Sequence, residues 1–239
     1  MKAIILAAGP GSRLLPITKE LPKCLIRVSD RCILDYQIEA LHELGITDIA
    51  IVTGYLSKKI EDHLGKHTIT FIHNGDYLKT NNAYSLWLAR DFIKDDNDGF
   101  IVMNSDLIFQ PAMLHALLSA PISDGIVVEK NVNPDSDMVK ITMDGNRICY
   151  MNKKIPHDSA HAEAVGPVKF SATGGRKFME HIEKDITNGN KTNWFFYTIS
   201  DYAQNNPFFG FTNPGFLWAD VDTSEDLELS RKIIPKNFK

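Results

Sequence analysis

Short apolar runs separated by polar, glycine-bounded loops dominate the first half of the chain. Lys2 to Ala7 is continuous and soon meets Gly9, the pattern of a strand buried on both faces of a parallel sheet. From Ile33 to Leu44, apolar residues at 33, 34, 38, 41 and 44 recur at helical intervals and stop at Gly45, a C-cap residue. "DIAIVTGY" then predicts a second strand, Lys58 to Leu64 a helix, "TITFIHN" a third strand, Ala83 to Phe92 a helix and "GFIVMNSD" a fourth strand. Such alternation predicts a doubly wound α/β sheet with right-handed crossovers.

Past residue 110 the pattern loosens. "DGIVVEK", "MVKITMDGNRICYMNKK" and "AVGPVKFS" read as strands with turns at Asp144-Gly145 and near Gly166, which predicts a mixed sheet. A helix from about Gly175 to Ile186, the aromatic stretch "WFFY" and a terminal helix from Ser224 to Ile234 complete the chain. Without a repeat or a clear linker, the expectation is one domain over 1–239 with a continuous core.

Composition adds limits. The 239 residues can bury a sizeable core, and 26 basic against 30 acidic residues give a net charge of -4, so nucleic-acid binding has little electrostatic support. Cys24, Cys32 and Cys149 are too few and too irregularly spaced for a disulfide framework or a zinc site. With no signal-like or membrane-spanning apolar run, a cytoplasmic protein is expected, of unknown oligomeric state. His63, His67, His115, His157, His161 and His181 show no metal-ligand spacing and read as surface or loop residues.

The candidate chemistry begins in the first loop, "LAAGPGSRL". A glycine-rich turn after a first strand lets backbone N–H groups approach a phosphate, Arg13 adds a forked cation, and Lys23 a mobile one. The pattern is neither a P-loop nor a dinucleotide fingerprint. Asp106 ends a buried strand at the carboxyl edge of the sheet, where open α/β folds bind ligands. Asp106 and Asp222 suffice as protein ligands for Mg²⁺ if the fold unites them. Asp106 could equally cap the next turn, and Asp222, beside Asp220 and Thr223, could simply precede a helix start.

"LAAGPGSRL" followed by Pro22-Lys23, "NSD" after the fourth strand and "WADVDTSED" near the C-terminus resemble the signature of the nucleoside-triphosphate transferases, the sugar-phosphate nucleotidylyltransferase superfamily, over nearly the whole chain. "HNGDYLKTNNAYSLWLAR" and "MNKKIPHDSAHAEAVGPVKFS" are most similar to cytidylyltransferases acting on phosphocholine, inositol phosphate or phosphonates. The resemblance implies a Rossmann-like doubly wound mixed sheet and a Mg²⁺-dependent reaction of CTP with phosphocholine or 2-aminoethylphosphonate, releasing pyrophosphate. It also implies that Leu6, Ala7, Ala8 and Gly9 face the base and ribose. Gly11, Ser12 and Arg13 would hold the phosphates, Lys23 the α-phosphate under attack, and Asn82 and Ser85 the cytosine edge. Asp106 and Asp222 would bind Mg²⁺, with Asp106 also in the nucleotide site.

For the acceptor, a quaternary ammonium favours aromatic faces, and Tyr150, Trp194, Tyr197 and Trp218 are available, although most of "WFFY" is expected in the core. Lys140 and Lys169 are candidates for its phosphate or phosphonate, and Glu163 and Asp201 for an amine. A sugar-1-phosphate nucleotidylyltransferase using UTP, GTP or dTTP would share the loop, Lys23 and the acids. A silent regulatory module would be expected to lose them.

Overall fold

The computed structural model describes residues 1–65, 68–130, 138–235 and 238. In chain order the elements are β1 (Lys2–Ala7), β2 (Arg27–Val28), β3 (Arg31–Cys32), α1 (Ile33–Glu43), β4 (Ile49–Thr53), α2 (Ser57–Leu64), β5 (Ile69–His73), α3 (Asn82–Leu88), α4 (Arg90–Ile93), β6 (Phe100–Asn104), β7 (Leu107–Phe109) and α5 (Pro111–Ser119). They continue as β8 (Gly125–Glu129), β9 (Lys140–Asp144), β10 (Arg147–Asn152), β11 (Ala162–Phe170), α6 (Ala172–Thr187), α7 (Phe195–Ala203), β12 (Phe209–Thr212), β13 (Trp218–Asp220) and α8 (Ser224–Ile233). His67 lies outside the described residues.

A nine-stranded sheet in the order β5-β4-β1-β6-β11-β8-β12-β10-β9 forms the frame. The β5, β4, β1 and β6 strands are mutually parallel, whereas β11 runs antiparallel to both β6 and β8. The sheet is thus mixed, as the looser pattern past residue 110 predicts. Leu6 and Ile4 on one face of β1 and Ala3, Ile5 and Ala7 on the other pack into separate clusters, so a strand covered on both sides reads as continuous apolar sequence.

Two expectations change. The predicted helix from Ala83 breaks at Ala89, leaving α3 and α4. No turn forms at Gly166: β11 runs through it with φ +76 and a register shift against β8, so the glycine marks a bulge. α5 and the β13–β7 ribbon go unpredicted, being short. Most of "WFFY" packs into the core as expected: Phe195 is buried, Phe196 and Tyr197 are partly buried against it, and Trp194 is exposed.

The histidine expectation holds for His63, His115, His157 and His161, all exposed, although His161 also accepts a hydrogen bond from the Met143 amide at 2.8 Å; His181, partly buried on α6 edge-on to Tyr202, departs from it. Among the described residues no helix is long and apolar enough to cross a membrane.

Candidate active site

The loop after β1 closes over the carboxyl edge of the sheet. Gly11 has φ +61, and a Cβ there would lie 3.1 Å from the Lys23 Cβ and 3.2 Å from the Thr18 Cγ2, so glycine meets both a backbone and a packing demand. Thr18 Oγ1 donates to the Gly11 carbonyl at 2.9 Å, and Ser12 and Arg13 enter a short 3-10 turn, Ser12–Leu14. At Gly9 a Cβ would meet no protein atom, which leaves its backbone open to close approach.

Leu6, Ala8, Gly9 and Pro10 form one wall of a cleft of about 180 Å³, facing Asn82 and Ser85. Five of the residues expected to hold the base and ribose therefore share one cleft. Sequence reasoning missed the buried Asn74, which lines the same cleft and donates from Nδ2 to Ser85 Oγ at 3.0 Å. It also missed Gly54, where a Cβ would lie 2.8 Å from the Ala8 carbonyl oxygen and so displace that wall. Asn82 Oδ1 accepts from the Phe195 amide at 2.7 Å, tying this wall to α7.

The acids meet because β13 pairs antiparallel with β7, setting Asp220 opposite Leu107, the neighbour of Asp106. The Val221 amide donates to the Asp106 carbonyl at 3.1 Å. Ala219 and Val221 are buried, and the alternating Asp220 and Asp222 point the other way, toward Asp106. Oxygens of Asp106, Asp220 and Asp222 lie within 4.8 Å of one another. Asp222 also precedes a true helix start, since the Thr223 hydroxyl caps α8 and Asp226 closes the capping box. Asp222 thus belongs to the acid cluster and also precedes the helix start.

Lys23 Nζ donates to Asp106 Oδ2 at 2.7 Å and to Asp222 Oδ1 at 2.5 Å, and Arg13 lies 2.8 Å from Asp222 Oδ2. The Lys23 side chain is only 12% exposed. Its burial alone would lower the ammonium pKa, but the charges of Asp106, Asp220 and Asp222 outweigh that and raise it. Asp222 is held below the usual carboxylate range: burial opposes this, but Lys23 and then Arg13 prevail. Asp220 is exposed on one side yet has protein close around its carboxylate. Burial, then the charge of Asp106, pushes its pKa well above the ordinary 3.8. Two cations balance Asp106 and Asp222, and Asp220 holds its proton to higher pH than a free aspartate.

Three clustered carboxylates beside a phosphate-sized loop are the hard oxygen donors that Mg²⁺ prefers, so the residues fit that ion. Asp106, Asp220 and Asp222 would hold it, and it would supply charge neutralisation between phosphates.

The acceptor candidates divide. Lys169 is buried under α5, where Nζ donates to the carbonyls of Leu117 at 2.7 Å and Ala120 at 3.1 Å. It caps that helix and is not a substrate ligand. Lys140 is also buried and donates to the Lys153 carbonyl at 2.7 Å, with Glu163 opposite it in register on β11. Neither reaches the surface; Lys140 instead holds the backbone of Lys153. Asp201 faces α6, where burial raises its pKa and His181 and Asp185 act on it. Trp194 and Tyr197 stack with centroids 6.2 Å apart, and Lys153 Nζ stands 4.9 Å from the Trp194 centroid. The charge of Lys153 also helps, less than Lys23 and Arg13, to depress Asp222. Sequence reasoning passed over Lys153, although "NKK" at the end of β10 was in view. A larger cavity of about 570 Å³ between α4 and α6 shares no residue with this constellation.

Residues 2–154 match the family model described as Nucleotidyl transferase. The chain is 35% identical to CTP:phosphoglutamine cytidylyltransferase of Campylobacter jejuni over 208 residues, 80% of this chain and 82% of that protein. It is 41% identical to choline-phosphate cytidylyltransferase of Streptococcus pneumoniae over 108 residues, 44% of this chain and 47% of that one. A solved structure of CTP:phosphocholine cytidylyltransferase from Streptococcus pneumoniae superposes with TM-score 0.80 at 24% identity, covering 98% of this chain and 99% of that one, and so shares the fold. With its glycine-bounded loop, its lysine and its acids gathered at one sheet edge, the chain belongs to the nucleotidyl transferase family of enzymes.

Proposed function

We propose that the protein is a Mg²⁺-dependent cytidylyltransferase that joins CTP to a small phosphorylated alcohol or phosphonate and releases pyrophosphate. The observation that carries this reading is the convergence of Lys23 and Arg13 on Asp106 and Asp222, beside Gly11 of the loop whose Ala8 and Gly9 line the cleft. The relatives' names supply the nucleotide.

In this reading the part of the chain to about 110 binds CTP and the remainder binds the acceptor. Ala7, Ala8 and Gly9 offer backbone to the base and ribose, while Asn82 and Ser85, with Asn74 behind them, read the cytosine edge. Gly11, Ser12 and Arg13 hold the β- and γ-phosphates. An acceptor oxygen, already anionic, attacks the α-phosphorus in line with the leaving pyrophosphate, so no covalent nucleophile is needed. Lys23 stays beside the α-phosphate and neutralises the charge that spreads there. Polyphosphate binding draws Lys23 and Arg13 off the carboxylates, which frees Asp106, Asp220 and Asp222 for Mg²⁺.

Lys153 carries the acceptor's phosphate or phosphonate. The Trp194 face accommodates the Lys153 ammonium; with Lys153 turned to the acceptor's phosphate or phosphonate, that face takes an alkylammonium head, as in phosphocholine or 2-aminoethylphosphonate.

Pyrophosphate release with CTP, UTP, GTP and dTTP tests this. Each is paired with phosphocholine, 2-aminoethylphosphonate, phosphoglutamine, inositol phosphate and glucose-1-phosphate. CTP with an amine-bearing acceptor should exceed every other pair by at least tenfold. Turnover with glucose-1-phosphate and UTP or dTTP alone would overturn it.

A further inference from the structure

Cys32, Asp35 and His63 form a second cluster, away from the cleft. Cys32 ends β3 and is the N-cap of α1, and Asp35 lies three residues on, in the first turn of the same helix. That spacing sets the two side chains on one side of α1. Asp35 Oδ2 accepts from the Cys32 amide at 3.3 Å, so Oδ1 is turned outward. His63, in the last turn of α2, brings Nε2 to 2.7 Å from Asp35 Oδ1 and 3.6 Å from Cys32 Sγ.

Both contacts use one imidazole nitrogen. A nucleophilic relay needs the acid on one ring nitrogen and the thiol on the other, so this arrangement does not suit one. Three different donor atoms instead converge on one point. We propose that Cys32, Asp35 and His63 form a site for Zn²⁺ or a similar borderline divalent ion.

Tetrahedral bond lengths of roughly 2.3 Å to sulfur and 2.0–2.1 Å to nitrogen and oxygen require edges of about 3.5 Å between S and N and about 3.3 Å between N and O. The S–N edge is already at 3.6 Å. The N–O edge must open from its hydrogen-bonded 2.7 Å, and His63, 38% exposed on the final turn of α2, has room to yield. Binding displaces the proton between His63 Nε2 and Asp35, leaving His63 neutral with its proton on Nδ1, and releases the Cys32 thiol proton to water. The exposed side admits water as fourth ligand.

Such an ion would pin α2 to the start of α1. Two residues past Asp35, Gln37 Nε2 donates to the carbonyls of Asn104 at 2.7 Å and Leu107 at 2.9 Å, on either side of Asp106. The pinned helix is therefore the one that supports the catalytic acid.

Co²⁺ titration of the chelator-treated full chain is the test, followed by the near-ultraviolet absorption of a cobalt-thiolate bond and then by displacement with Zn²⁺. The oxygen-only acid cluster cannot give that band. One equivalent of Co²⁺ should produce it, Cys32→Ser should abolish it, and His63→Ala should weaken Co²⁺ binding at least tenfold. Cys149→Ser and Asp222→Asn should leave it intact. Absence of the band at millimolar Co²⁺, or a band unaffected by His63→Ala in a folded protein, would overturn the proposal. His63 is on the surface, so that variant stays informative if Cys32→Ser does not fold.

Discussion

Burial and then the charge of Asp106 raise the Asp220 pKa, and Lys23 offsets this only in part because its hydrogen bonds go to Asp106 and Asp222. With the Asp220 pKa raised, the folded state loses stability as pH climbs from the ordinary carboxylate value toward that raised value, and above it the loss is complete. Asp220→Asn should therefore raise the metal-free Tm at pH 7 and have no effect below about pH 4, where both forms are neutral. The gain should be a few degrees at most, since water in the cleft screens the repulsion. Thermal unfolding of both proteins across that range checks the sign; a lower Tm for the variant at pH 7 would contradict it. The loop, Lys23, Asp106 and Asp222 were legible in sequence because their motif is local. Asp220 was legible in principle from the alternation of acids at 220 and 222 with apolar residues at 219 and 221. Lys169 was misread because a buried lysine that caps a helix has no signature in its own strand.

At the scale of elements, α1 is the support of the reacting edge. Gln37 is buried and spends one amide group on two carbonyls that flank Asp106. Gln37→Met fills nearly the same volume but strands both acceptors, at a cost of about 1–3 kcal/mol. Denaturant unfolding should show that loss, and kcat should fall further than the folded fraction explains, because Asp106 is no longer held. Unchanged kcat in the folded variant would mean that β6 and β7 position Asp106 without α1. The α1 helix was readable from its apolar spacing and Gly45. Its partner strand β7 was not, since three residues carry no period.

The whole molecule places a glycine-bounded loop from the start of the chain against acids from its far end, through the β13–β7 pairing. Strand-and-helix alternation in the first half was legible because it repeats. The order of the second half was not, because β11, β8 and β12 join by non-local pairing that hydrophobic period leaves undefined.

The central claim is that Lys23 and the acids it bridges carry cytidylyl transfer. Pyrophosphate release with CTP, Mg²⁺ and the responding acceptor, measured for the native protein and for Lys23→Ala, tests it most directly. The native protein should turn over, and the variant should lose on the order of 10²–10³ in kcat, as when one preorganised donor to a developing charge is removed. Lys23→Ala should also lower the Tm, since it leaves the acids without their main counter-charge. Full turnover by a folded Lys23→Ala protein would contradict the account.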